Sequence, residues 1–176
     1  MTENVGVAFL TDRHRHGGID EIPMPAGAPG QLWLCGKHFV GPDPDGALEQ
    51  TGASAIVCLN EGYELFDRYP NYVEWLRANS GGKAVWSPWP DMHAPALDAF
   101  AALLDQLKAR LTLGEGLVIH CGAGMGRAGT TATALLMDLG IPLIDAMHEV
   151  RTARPGAGPQ TSEQDALLEA YARLLA

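Results

Sequence analysis

Apolar and polar positions along the chain alternate with two different periods. Continuous apolar runs at residues 53–59 and 117–119 predict buried strands, and residues 5–10 and 84–87 predict two more, the first of them an edge. Another strand-like run surrounds Cys35. Helical spacing is clearest over residues 96–113, where Leu97, Phe100, Leu103, Leu104, Leu107 and Leu111 share a face and Asp98, Asp105 and Lys108 lie elsewhere. Residues 130–139, 141–150 and a closing stretch through Leu168 and Leu175 predict three further helices. Residues 63–79 predict two short helices around Pro70, whose Tyr63, Phe66, Tyr69, Tyr72 and Trp75 fall near helical spacing and so belong in a core. The break at 41–45 caps a short helix near 47–51. Residues 11–30, rich in glycine, proline and charge, predict a loop, and residues 88–95 a proline-stiffened one.

With 176 residues, of which 47% are hydrophobic and 19% charged, the chain can bury one proper core. The absence of a long apolar run or a basic-then-apolar leader leads to the expectation of a soluble, cytoplasmic protein. A formal net charge of -9 argues against a broad nucleic-acid surface or an anionic-membrane surface. The odd set of three cysteines, 35, 58 and 121, has no paired spacing and points to a reducing compartment. Cys35 and Cys58 read as small core residues, and a regulatory disulfide to Cys121 is the weaker reading. His14 and His16 have no further ligand at metal spacing, so a solvated loop is the better account of them.

The chemistry concentrates after the fourth strand, in Leu117-Val-Ile-His120-Cys121-Gly122-Ala123-Gly124-Met125-Gly126-Arg127-Ala128. Glycines let a backbone close around an anion, and inward N–H groups at a helix N-terminus hold a phosphate-like dianion. The same groups favour the thiolate of Cys121, making it a nucleophile. Arg127 offers a planar fork for two phosphoryl oxygens. Gly122, Ala123, Gly124, Met125, Gly126 and Arg127 are therefore the expected phosphate-binding set. Gly124-Met-Gly126-Arg-Ala-Gly129 also spells a dinucleotide-binding pattern. That reading fails, because it needs a second strand ending in an acidic residue about 20 positions later. An ATP-type loop fails for want of Gly-Lys-Ser/Thr, and a sulfurtransferase loop remains a minor alternative.

His-Cys-x-x-Gly-x-x-Arg, with five residues between Cys121 and Arg127, resembles the signature of cysteine-based protein tyrosine phosphatases. The rest of the chain is most similar to their compact dual-specificity branch. The resemblance implies a single α/β domain over 1–176, with a central mixed sheet of about five strands flanked by helices and residues 1–30 as an N-terminal strand and loop extension. It implies a phosphomonoester hydrolase acting through a phospho-cysteine, on phosphotyrosine and in a shallow pocket also on phosphoserine or phosphothreonine, with no metal or organic cofactor. Partners would be phosphorylated proteins or small phosphomonoesters and phosphate-like anions, with no nucleic acid and no membrane.

By the same resemblance, Gln31-Leu-Trp-Leu-Cys-Gly is an early strand, and Trp89-Pro-Asp91 is the acid loop, 30 residues before the cysteine. Asp91 would protonate the leaving group and later activate water, while also suiting a helix cap. His120 would order the loop from behind, and Gln160 or Gln164 would position the hydrolytic water, unless Gln164 is only a helix-surface residue. Glu61 follows a strand end near the expected site, and either touches the pocket or serves as a helix N-terminal carboxylate. The chain departs from the family at Ala128, where a Ser or Thr hydroxyl is usual. Without that donor the intermediate would break down slowly, and the alternative is a slow or inactive phosphate-binding, substrate-trapping module unless Thr130 or Thr131 compensates.

Overall fold

The computed structural model describes residues 13–176. Its centre is a five-stranded sheet in the order β1-β2-β5-β3-β4, built from β1 Ile19–Ile22, β2 Gln31–Gly36, β3 Ala55–Cys58, β4 Ala84–Trp86 and β5 Gly116–Cys121. β1 runs antiparallel to β2, and every other neighbouring pair is parallel. Helices α1 Arg13–His16, α2 Lys37–Val40, α3 Pro44–Thr51, α4 Pro70–Ala78, α5 Leu97–Thr112, α6 Gly126–Asp138, α7 Leu143–Ala153 and α8 Ser162–Leu175 complete the fold. This is the single-domain α/β architecture expected from the sequence, with the mixed sheet between helical layers.

Strand periodicity sorts the core into two layers. Leu117, Ile119 and Cys121 of β5 join Leu32, Leu34, Ala55 and Val57 in packing against Phe100, Leu104, Leu107, Leu135, Val150 and Leu168. Val118 joins Trp33, Cys35, Ile56 and Cys58 on the opposite face, with Phe39, Leu48, Tyr72 and Leu76. Cys35 and Cys58 are free thiols buried in that second layer, the face turned away from Cys121, which argues against the regulatory disulfide. Burial pushes the Cys35 thiol well up and the Cys58 thiol up to about 12.

Three expectations need correction, and a fourth cannot be compared. Residues 19–22 form an edge strand where a loop was expected: Ile22 is buried, and the charge of Asp20, which masks the pattern, is taken up by Arg13 and Arg154. The expected strand over 5–10 lies outside the described residues. The helix expected from residue 130 begins at Gly126, because residues 127–137 are all buried and the usual polar face is missing. Gly129 explains part of this: an added Cβ there would stand 2.1 Å from Gly158 N, so the helix can pass this close only without a side chain. Finally, Tyr63 and Phe66 are exposed while Tyr69 and Tyr72 are buried. Residues 62–64 make one 3-10 turn, closed by the Glu61–Glu64 capping box, so helical phase does not run through the segment. Among the described residues no helix is long and apolar enough to cross a membrane.

Candidate active site

The parallel strands deliver their C-terminal ends to one edge of the sheet, where open α/β folds place ligands. β5 ends at Cys121, and residues 122–125 turn into the N-terminus of α6. Gly124 adopts φ +74, and a Cβ there would stand 2.2 Å from Cys35 O, so the loop's path over β2 requires glycine. The carbonyls of this loop are all held from outside. Gly122 O accepts from Lys37 N at 3.1 Å, Ala123 O from Arg154 Nη2 at 2.9 Å, Gly124 O from Arg154 Nε at 3.0 Å, and Met125 O from Gly158 N at 3.1 Å. Among the described residues, the backbone N–H groups of Gly122, Ala123, Gly124, Met125 and Gly126 find no protein acceptor. A loop with its carbonyls tied back and its N–H groups unspent is a ready anion cradle.

Arg127 lies buried in the first turn of α6. Its Nη1 donates to Glu64 Oε2 at 2.8 Å and Trp89 O at 2.9 Å, and its Nη2 to Glu64 Oε1 at 2.8 Å. Its Nε is buried without a partner. The fork is thus locked by one carboxylate while one N–H stays available. Burial alone would lower the Arg127 pKa, but the Glu64 hydrogen bonds, then the charges of Cys121, Glu64 and Asp91, outweigh it and hold the guanidinium above its ordinary value. Burial likewise works to raise Glu64, and hydrogen bonds from Arg127 and the Glu61 backbone overcome it, leaving the carboxyl below its ordinary range.

Asp91 is 63% exposed, with Oδ1 3.3 Å from Arg127 Nη2 and accepting from Met92 N at 3.0 Å. It does not cap α5, whose N-cap is Ala96 without a side-chain bond. Met92 has φ 65, an unusual conformation for a residue with a side chain, which turns the chain directly behind the carboxylate. His120 is fully buried, with Nε2 2.6 Å from Tyr72 Oη and Nδ1 3.3 Å from Cys121 O. Burial drives its pKa down to about 4, so the ring behind the cysteine is neutral at neutral pH.

The structure brings Cys121, Arg127, Asp91 and residues 122–126 together at one edge and sets His120 behind them. Gln160 and Gln164 lie against the start of α6, where a Cβ on Gly126 would stand 3.0 Å from Gln160 Cγ and 3.3 Å from Gln164 Oε1. Gln164 is fully buried, which corrects its reading as a helix-surface residue. Gln160 Nε2 donates to Gly156 O at 2.8 Å and Gly158 O at 3.0 Å. Glu61 is a helix N-terminal carboxylate, as one of its two readings had it, and it shares its capping box with Glu64. Glu64 and Arg154 are what the sequence reading missed. The Glu61-x-x-Glu64 spacing signals a turn start but says nothing of Arg127, and the partners of Arg154 lie some 30 and 134 positions away. Neither threonine replaces the hydroxyl missing at Ala128: Thr131 Oγ1 donates to Arg127 O at 2.9 Å, and Thr130 Oγ1 is buried without a partner.

Comparison with known proteins adds an independent line. The family model described as "Swiss Army Knife protein, DSP-PTPase phosphatase domain" matches residues 41–166. Among solved structures, Tk-PTP in its active form is 29% identical, with 81% of this chain and 90% of that one covered and a TM-score of 0.66. Kinase associated phosphatase, with its catalytic cysteine replaced by serine, is 21% identical over 89% of this chain and 94% of its own, with a TM-score of 0.72. Human DUSP28 is 21% identical over 89% and 95%, with a TM-score of 0.64. At that identity the last two speak for the fold alone.

Proposed function

Because the chain belongs to the DSP-PTPase phosphatase-domain family of Swiss Army Knife proteins, we propose that it hydrolyses phosphomonoesters through a covalent phospho-cysteine. We read residues 1–176 as one phosphatase domain, with phosphotyrosine of proteins as the preferred substrate and phosphoserine or phosphothreonine as further ones. The observation that carries the reading is the buried, unpartnered Nε of Arg127 beside a loop whose N–H groups are unspent. Such donors are tolerated in a folded protein when a ligand completes them.

In the first step the Cys121 thiolate attacks phosphorus, the bond from phosphorus to the ester oxygen breaks, and Asp91 gives its proton to the departing oxygen. The loop amides and Arg127 carry the charge that spreads over the equatorial oxygens. In the second step water attacks phosphorus, Asp91 takes its proton, and the sulfur–phosphorus bond breaks to return thiolate and inorganic phosphate. Neutral His120, bonded to Tyr72, holds the backbone at Cys121 without adding a charge of its own. None of these steps draws on a metal or an organic cofactor.

One observation favours a slower variant of the same chemistry. Ala128 carries no hydroxyl, and among the described residues neither Thr130 nor Thr131 reaches the sulfur by a hydrogen bond, so the phospho-cysteine would persist longer than one with such a donor. Hydrolysis of an aryl phosphate by the intact chain tests both readings. Steady turnover lost in Cys121→Ser supports the enzyme, whereas a single stoichiometric burst supports the trapping module. Turnover undiminished in Cys121→Ser would overturn both.

A further inference from the structure

The segment after the acid loop is fastened to the last helix by two adjacent residues. Thr161 caps α8, its side chain accepting from Gln164 N at 3.3 Å. In an ordinary capping box the residue at Gln164's position reaches back to the cap's own N–H. Here Gln164 Oε1 accepts from Gln160 N instead, at 2.8 Å, and Nε2 points the other way, donating to His93 O at 3.1 Å. Beside it, Glu163 Oε2 lies 3.2 Å from His93 Nδ1 and accepts from Ala94 N at 3.3 Å. The opposite end of the same segment is held by Arg127, through Trp89 O at 2.9 Å and Asp91 Oδ1 at 3.3 Å. Asp91 therefore sits on a short span, with Met92 in its left-handed conformation, pinned at Trp89 by the catalytic loop's arginine and at residues 93–94 by α8.

We infer that Gln164 and Glu163 are positioning residues for the general acid: they clasp residues 93–94 so that the Asp91 carboxyl faces the leaving oxygen. This rests on the assignment of Asp91 as acid in the proposed function. It departs from the role that resemblance suggests for Gln164, the orientation of hydrolytic water, because both ends of that buried amide already hold backbone groups. A water-orienting amide would act in the second step, whereas a clasp acts wherever Asp91 must meet the substrate. Gln164 supplies the buried half of the clasp. Glu163, 56% exposed, supplies a half that can be removed without opening the core.

The test uses the full chain and aryl phosphates whose phenols range from 4-nitrophenol, which leaves without a proton, to phenol, which needs one. Gln164→Leu and Glu163→Ala should lower kcat/KM for phenyl phosphate, which reports formation of the phospho-cysteine whichever step limits turnover, by about tenfold and about threefold, with kcat/KM for 4-nitrophenyl phosphate barely affected, since general-acid help is graded by leaving group. In an Asp91→Asn background neither substitution should cost anything more, since a residue acting only through the acid has nothing left to position. Losses in kcat/KM that are equal across the ester series, a loss that persists in Asp91→Asn, or a kcat that falls for every ester while kcat/KM holds, the mark of a lost water-orienting amide, would overturn the assignment. Amide hydrogen exchange reads the clasp without turnover. Protection of Met92, His93 and Ala94 should fall in both variants, and unchanged protection would also overturn it. If the unaltered chain hydrolyses none of the esters, the proposed function fails, and exchange alone decides the clasp. Should Gln164→Leu not fold, Glu163→Ala carries every arm of the test.

Discussion

At the scale of single residues, the site depends on one guanidinium held rigid by one carboxylate. Glu64 meets Arg127 through two parallel bonds of 2.8 Å, a geometry that fixes the plane of the fork. Glu64→Gln keeps a similar shape but loses the charge and one acceptor, so the fork is less well aimed. A fall in kcat/KM of roughly tenfold is expected, with phosphate binding weakened in parallel, as read by competitive inhibition with inorganic phosphate. Arg127→Lys should cost more, about a hundredfold, because an ammonium cannot fill both the Glu64 fork and the anion site. Ala128→Ser is the opposite kind of change. It adds a hydroxyl in a fully buried position directly after Arg127, where it can serve the proposed nucleophile, and if breakdown of the intermediate limits turnover, kcat should rise about tenfold or more. Quenched-flow measurement of the phospho-enzyme checks this: its steady-state level should fall as kcat rises.

At the scale of elements, the loop between β5 and α6 is shaped as much by its neighbours as by its own sequence. Gly124→Ala forces a Cβ to within 2.2 Å of the Cys35 carbonyl and places a side chain at φ +74. Both penalties act on the same residue, so a loss of about 2–4 kcal/mol in unfolding free energy is expected, measured by urea titration. Arg154 is the matching support from outside. It is 1% exposed, bonds Ala123 O and Gly124 O, and ion-pairs with Asp20 of β1 at 2.7 Å. Cutting one partner from a buried ion pair costs about 3–5 kcal/mol. This gives β1, a four-residue edge strand, a reason to exist: its Asp20 neutralises the cation that braces the anion loop.

At the scale of the whole molecule, stability and acidity are linked through His120. Its pKa in the folded state is lowered to about 4 by burial, while an exposed histidine titrates near 6.5. Between those values the unfolded chain binds the extra proton and the folded one does not, so acid favours unfolding. Stability should therefore be level above about pH 6.5 and fall by on the order of 3 kcal/mol as pH drops toward 4, one pKa unit being about 1.4 kcal/mol. Glu64, held below its ordinary range, adds a loss in the same direction at still lower pH, when its carboxylate is protonated away from Arg127. Urea midpoints at pH 7 and pH 5 check the effect, and His120→Asn should flatten that part of the curve whatever its own stability.

Much of this molecule is local enough to be legible in the chain. Strand periodicity placed β3, β4 and β5, helical spacing placed α5, α7 and α8, and the run from His120 to Arg127 marked the anion loop, because each pattern depends on residues within a few positions of one another. Only the tertiary structure decided which side chains serve that loop. Glu64 lies 63 positions from Arg127, Tyr72 lies 48 from His120, and Glu163 lies 70 from His93. Parallel strands joined by long crossovers bring such distant residues to one sheet edge, and no local periodicity encodes those meetings. The sequence by itself thus determined where charge can be bound. The fold decided what holds the binders still, because those partners come together only when the sheet assembles.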